Sequence, residues 1–185
     1  NATIEFSTFN DTPRVGDENV QLQTAREVVV NITRGEVYWL DRDLGVIHKL
    51  DLATWQWSTL LEIEDEVLEE GEVATRPAFH PEESVLDEAN NMLYIISENR
   101  YSVFAVDVIS GEYQVILQHQ EGGVNPHDLY DLDAIALNEE QGVLYLANGR
   151  KWDETKLDVT EFNLLAYNIA DQSVTEVSAA TLLAD

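Results

Sequence analysis

Apolar residues along this chain recur in short alternating runs broken by turns, not at the three-and-four spacing of an amphipathic helix. In SVFAVDV, residues 102–108, Val103, Ala105 and Asp107 alternate with Phe104, Val106 and Val108. Both faces are therefore largely apolar, as in a strand whose sheet is packed between two neighbours. The text also repeats. REVVVNITRGEVYWLDRDLGVIHKLDLATWQWSTLL from Arg26, EESVLDEANNMLYIISENRYSVFAVDVISGEYQVIL from Glu82 and DAIALNEEQGVLYLANGRKWDETKLDVTEFNLLAYNIADQSVTEVS from Asp133 share one layout. One common column is Tyr38, Tyr94 and Tyr145, preceded by Val37, Leu93 and Leu144, and a second is Asp51, Asp107 and Asn168.

The tyrosines are 56 and then 51 residues apart, a period that fits four strands and a connecting loop. The predicted strands are 26–31, 36–41, 45–51 and 56–62; then 83–88, 92–97, 101–107 and 112–118; then 132–138, 143–148, 162–168 and 173–178. Arg34-Gly35, Asn90-Asn91, Ser110-Gly111 and Gln141-Gly142 lie between runs and supply residues that accept positive φ at hairpin tips. TIEFSTF at 3–9 predicts one further strand. The acidic stretch LLEIEDEVLEEGEV, 60–73, is expected as a loop more mobile than the strands. The fold class predicted is all-β: a partial β-propeller of about three four-stranded antiparallel blades, about 26–62, 83–118 and 132–178, plus the extra N-terminal strand, forming one domain or fragment. A closed propeller has at least four blades, so further blades or other chains are expected to complete the ring.

YWLD at 38–41 followed by GVIHKLDL is similar to the YWTD repeat of LDL-receptor class B propellers, with Leu40 in place of the threonine. DAIALNEEQGVLYLAN at 133–148 resembles the blade opening of the gluconolactonase and senescence-marker propellers. Both are six-bladed families, and the resemblance covers most of residues 26–178. The second resemblance implies that the residue opening each innermost strand faces the channel mouth, where several such residues hold calcium or another divalent ion. Aligned on the tyrosines, those positions are Arg26, Glu82 and Asp133. The metal-ligand candidates are Glu82 and Asp133, with Asp131 and Asn148, because a hard cation needs several oxygens converging from different strands. The plainer reading has Arg26 paired with one carboxylate, or both carboxylates solvated at the rim.

Other candidates carry less. Asp41, Ser97 and Asn148 end the second strands, where short polar side chains cap nearby amides. NPHDLYDLD, residues 125–133, gathers His127, Asp128, Asp131 and Asp133, a set suited to acid–base or metal work but more common as hydrogen-bonded surface. His48, His80 and His119 show no ligand spacing. Trp39, Trp55 and Trp57 share one blade and Trp152 lies in the insertion KWDETKLDVTEF; aromatic rings bind sugars, though packing between blades is their commoner use. The serines lack a G-x-S-x-G setting, and no phosphate loop or dinucleotide fingerprint is present.

Composition narrows the function classes. At 44% hydrophobic, 185 residues can bury one sizeable core. A net charge of -26 excludes sequence-independent nucleic-acid binding, which needs clustered Lys and Arg. No membrane insertion is expected, since no apolar run reaches about 18 residues. The absence of cysteine removes disulfides and thiolate chemistry. Beginning at Asn1 without a signal peptide, the chain reads as a processed or excised piece. N-x-T sequons at Asn1, Asn10 and Asn31 predict glycosylation and an extracellular or secreted location, periplasmic in a bacterium. The expected function is a secreted, non-enzymatic propeller module for protein or glycan binding or structural assembly. The alternative is a divalent-metal-dependent lactonase or esterase-type hydrolase with its site at the channel mouth.

Overall fold

The computed structural model describes residues 24–63, 79–98, 102–118, 129, 131–153 and 158–177. These form three four-stranded antiparallel sheets. The first holds β1 (Ala25–Asn31), β2 (Glu36–Asp41), β3 (Val46–Asp51) and β4 (Gln56–Glu62), in that order across the sheet. The second holds β5 (Pro81–Asp87), β6 (Met92–Ser97), β7 (Ser102–Asp107) and β8 (Tyr113–Gln118). The third holds β9 (Asp131–Asn138), β10 (Val143–Asp153), β11 (Asp158–Asn168) and β12 (Val174–Glu176). Strand β5 lies against both β1 and β9, so the three sheets stand side by side as blades with their first strands together. Among the described residues no helix is long and apolar enough to cross a membrane.

The predicted hairpins are present, with two differences. Strands β10 and β11 continue through the insertion, pairing Lys151 with Glu161 and Asp153 with Asp158, because alternation persists in both arms. Residues 60–62, where the predicted strand 56–62 and the stretch expected as a loop overlap, belong to β4, with Leu61 and Glu62 pairing with Ile47 and Val46 of β3 and Leu60 as a bulge. The N-terminal run 3–9, Asn1 and Asn10, residues 64–73, His119, His127 and Asp128 lie outside the described residues.

Polar side chains terminate the strands in columns. The Oδ1 atoms of Asp51, Asp107 and Asn168 each accept two turn amides, at 2.8 and 2.9, 2.7 and 2.9, and 2.9 and 3.3 Å. These bonds mimic a backbone turn and explain the second repeat column. Four residues on, Trp55, Gly111 and Gln172 all have positive φ. Asn31, Asp87 and Asn138 form a third column, each accepting the amide three residues ahead at 2.9, 3.0 and 3.1 Å. Asn31 is also a sequon position; its side chain is buried and its Oδ1 serves this turn cap.

Two apolar clusters join the blades. Tyr38, Leu40, Ile47 and Leu61 of blade 1 meet Leu93, Ile95, Phe104 and Val106 of blade 2, together with Phe79. Tyr94, Ile96, Val103, Ala105 and Leu117 of blade 2 meet Leu132, Leu144, Leu146, Leu165 and Tyr167 of blade 3. Each blade thus has a leading face toward its predecessor and a trailing face, bearing the repeat tyrosine, toward its successor. The alternation of SVFAVDV serves both: Phe104 and Val106 face blade 1, Val103 and Ala105 face blade 3. Polar ties run alongside, from the Ser84 hydroxyl to Glu27 at 2.6 Å and from the Thr33 hydroxyl to Glu88.

Candidate functional site

Each first strand is interrupted at the same place. Ala25 and Glu27 sit opposite Asp41 and Leu40, leaving Arg26 as the extra residue. Pro81 and Ser84 sit opposite Ser97 and Ile95, leaving Glu82 and Glu83 to oppose Ile96 alone. Leu132 and Ala134 sit opposite Asn148 and Ala147, leaving Asp133 extra. A β-bulge adds one residue and re-aims its side chain. Repeated in three blades, it brings Arg26, Glu82 and Asp133 to one polar cavity of about 250 Å3, also lined by Arg42, Glu83, Glu98 and Leu132.

Glu82 is the centre of this cavity. Its Oε2 is ion-paired with Arg26 Nε, and its Oε1 lies 2.9 Å from Arg42 Nη2. Arg42 Nη2 also donates to Glu98 Oε2 at 2.8 Å, and Arg42 Nε donates to His80 Nε2 at 3.0 Å. A neutral imidazole that accepts at Nε2 carries its hydrogen on Nδ1. That atom stands 3.1 Å from Glu98 and 3.5 Å from Glu82. His80 is held in place by its own backbone, whose amide donates to Ser97 Oγ at 3.0 Å and whose carbonyl accepts from Glu98 N at 3.1 Å. Burial and then the hydrogen bond and charge of Glu98 push the Glu82 carboxyl above its ordinary value, against the pull of Arg26 and Arg42.

The expected ligand set is brought together only in part. Glu82 and Asp133 share the cavity, and Arg26 pairs with the carboxylate of the adjacent blade. Asn148 is buried and its Nδ2 donates to Asn163 Oδ1 at 3.0 Å, tying β10 to β11 away from the cavity lining. Asp131 pairs with Gly149 through the backbone. Arg42, His80 and Glu98 are additional members. Arg42 and Glu98 directly follow Asp41 and Ser97, which end the second strands, so the signal for them was the position beside that column. His80, Glu82 and Glu98 place one ligand atom each within 4.8 Å of one another, the right donor types for a divalent ion. The two guanidiniums oppose it: Arg26 is ion-paired at Oε2 and Arg42 at Oε1, so a cation would compete with both for the same oxygens. The residues present therefore fit an ion-paired network better than a calcium site.

A second charged group lies at the opposite end of β2. Glu36 receives Arg34 Nε at 2.8 Å and the Tyr38 hydroxyl at 2.7 Å, with Lys49 Nζ at 3.9 Å. Burial raises its pKa, but Arg34, Tyr38 and Lys49 together outweigh that and hold it below the ordinary 4.5. A depressed carboxylate adds stability above its unfolded value and loses it as pH falls through the folded one. Glu36→Gln is expected to flatten the loss of stability on acidification below about pH 4.5, measured by urea midpoints across pH. Glu82 acts with the opposite sign, its ionised form being disfavoured by folding.

No family model and no curated protein matches the chain. Solved structures do. The chain is similar to one from a crystal structure of a nidogen/laminin complex, at 12% identity and TM-score 0.54, over 82% of this chain and 46% of that one. It is also similar to a structural genomics protein of unknown function from Bacteroides thetaiotaomicron VPI-5482, at 16% identity and TM-score 0.51, over 83% of this chain and 33% of that one. The chain thus spans less than half the length of either. Likeness at this identity concerns the fold, which is all-β and of the β-propeller type.

Proposed function

We propose, from this propeller architecture, that the chain is a secreted, non-enzymatic module that binds protein or glycan at its rims or serves in structural assembly. The observation that carries this reading is the state of Glu82: its oxygens face Arg26 and Arg42, so the best-placed carboxylate at the channel mouth is committed to neighbouring charges. The nidogen/laminin structure contains two proteins in complex, which agrees with protein contact as the role. Blades 26–62, 83–118 and 132–178 form one unit in this reading. With a net charge of -26, the rims suit partners with basic patches.

The second reading, a divalent-metal-dependent lactonase or esterase, is favoured by the convergence of His80, Glu82 and Glu98. Thermal melts with millimolar calcium and with chelator, alongside hydrolysis assays on simple lactones, separate the two. The module predicts an unmoved midpoint and no turnover. A calcium-dependent rise that is lost in Asp133→Ala or Glu82→Ala, with lactone hydrolysis, would establish the hydrolase instead.

A further inference from the structure

The middle blade packs its two faces against blades 1 and 3 within the chain. What it leaves open is the outer edge of β8, the last strand of its sheet. A strand in that position presents a row of backbone N–H and C=O groups able to template a further strand. The Asp107 amide donates to the Glu112 carbonyl at 2.9 Å. Antiparallel ladders alternate, so the backbone groups of Gln114 point to β7 and those of Tyr113 and Val115 point away from the sheet. The register is unbroken from Val106–Tyr113 to Phe104–Val115 and shifts only beyond, where Ile116 is the extra residue. Natural sheets blunt such edges with charge or by shortening the strand. Strand β12 has three residues, and the exposed positions of β4 are Gln56, Ser58, Thr59 and Glu62. In β8 neither device is used: YQVILQ holds no charge in a chain of net charge -26, and Tyr113 and Val115 are 47% and 41% exposed. Among the described residues of the three outer strands, no other large apolar side chain is as exposed.

We propose that the outer edge of β8 receives an extended segment of a partner protein as a further strand of the blade, a segment in which apolar residues alternate with Lys or Arg. This rests on the reading of the chain as a protein-binding module, and adds to it a contact on the outer circumference. The N–H and C=O groups of Tyr113 and Val115 recur at the two-residue spacing of a strand, which an extended backbone matches and a helix does not. Their side chains lie on one face, since they pair with Val106 and Phe104, both of which face blade 1. Apolar residues on the added strand would stand beside them, and cross-strand pairs of aromatic and β-branched residues stabilise a sheet. Charge selects the rest of the partner. A basic segment is attracted to this acidic chain, whereas pairing two β8 edges brings together two chains of net charge -26 each.

The probe is a short capped peptide alternating Lys with Val and Tyr, titrated against the full chain beside a peptide of equal length and charge made of Lys and Gly. Amide exchange at Tyr113 and Val115 is expected to be fast in the free chain and slowed by the Lys–Val–Tyr peptide. Val115→Pro deletes an outward N–H without removing a bond to β7, and should weaken the peptide about tenfold while leaving the far-UV spectrum intact. Val115→Thr keeps the N–H and should bind close to wild type. If the proline variant fails to fold, exchange at the two wild-type amides decides by itself. Slow exchange in the free monomer overturns the proposal by showing the edge already paired. A dimer that Val115→Pro dissolves overturns it in favour of a second copy. Equal binding of the Lys–Gly peptide, or binding indifferent to Val115→Pro, places the contact elsewhere and leaves the module reading standing; no binding at all also rejects the edge as the site. The module reading itself stands or falls on the calcium and lactone experiments, which do not involve β8.

Discussion

Gly111→Ala is expected to destabilise the fold by about 3 kcal/mol, most of it from overpacking and the rest from a left-handed backbone. Gly111 has φ of +76°, but the turn geometry alone does not require glycine, since Trp55 and Gln172 adopt the same conformation at the equivalent positions of blades 1 and 3. What blade 2 adds is a close approach: a Cβ at Gly111 would stand 2.4 Å from the Leu60 carbonyl oxygen of blade 1. That oxygen belongs to backbone in β4, so either the outer hairpin of blade 2 or the edge of blade 1 must move. Gly35→Ala is the control. Gly35 has φ of +66° and nothing within 4 Å of the added carbon, so only the backbone penalty of about 1 kcal/mol applies. Urea unfolding of both variants checks the contrast, and equal midpoints would show that blade 2 does not approach blade 1 as described.

Phe104→Ala should cost about 3–5 kcal/mol, the range for deleting a buried aromatic side chain. Its ring lies 4.9 Å from Phe79 and 5.8 Å from Tyr113, centroid to centroid. Phe79 is fully buried in the same cluster between blades 1 and 2. Phe104→Leu retains most of the volume and is expected to lose much less, about 1 kcal/mol. The ratio of the two effects, read from denaturant midpoints at constant m-value, reports packing; similar small losses in both would place the ring in solvent rather than between sheets.

Much of this architecture was legible in residue patterns. Alternation identified the strands and assigned Val103 and Phe104 to opposite faces. The Asp51, Asp107 and Asn168 column was visible as a repeat, though its work in capping turns emerged with the hydrogen bonds. Aligning the tyrosines also placed Arg26, Glu82 and Asp133 at one level, and a bulge in each first strand then aims them at one cavity. At Asn31 the sequon letters coincide with a turn cap that the hydrogen bonds reveal: its Oδ1 accepts the Arg34 amide from a buried position. Arg42 is not evident from its neighbours in sequence because its relation to Glu82 and Glu98 lies across blades; Arg42 and Glu98 are 56 residues apart in the chain.

What the sequence alone determined was therefore local: the strand period, the turn residues and which side chains share a face, all set by backbone geometry over a few neighbouring residues. What only the tertiary structure decided was the pairing of Glu82 with the arginines of the neighbouring blade. Coulomb interactions depend on distance and on surrounding dielectric, and both are set by how β1, β5 and β9 come together. Glu82, which its place in the repeat marks as an open ligand, pairs with Arg26 and Arg42 once blades 1 and 2 meet.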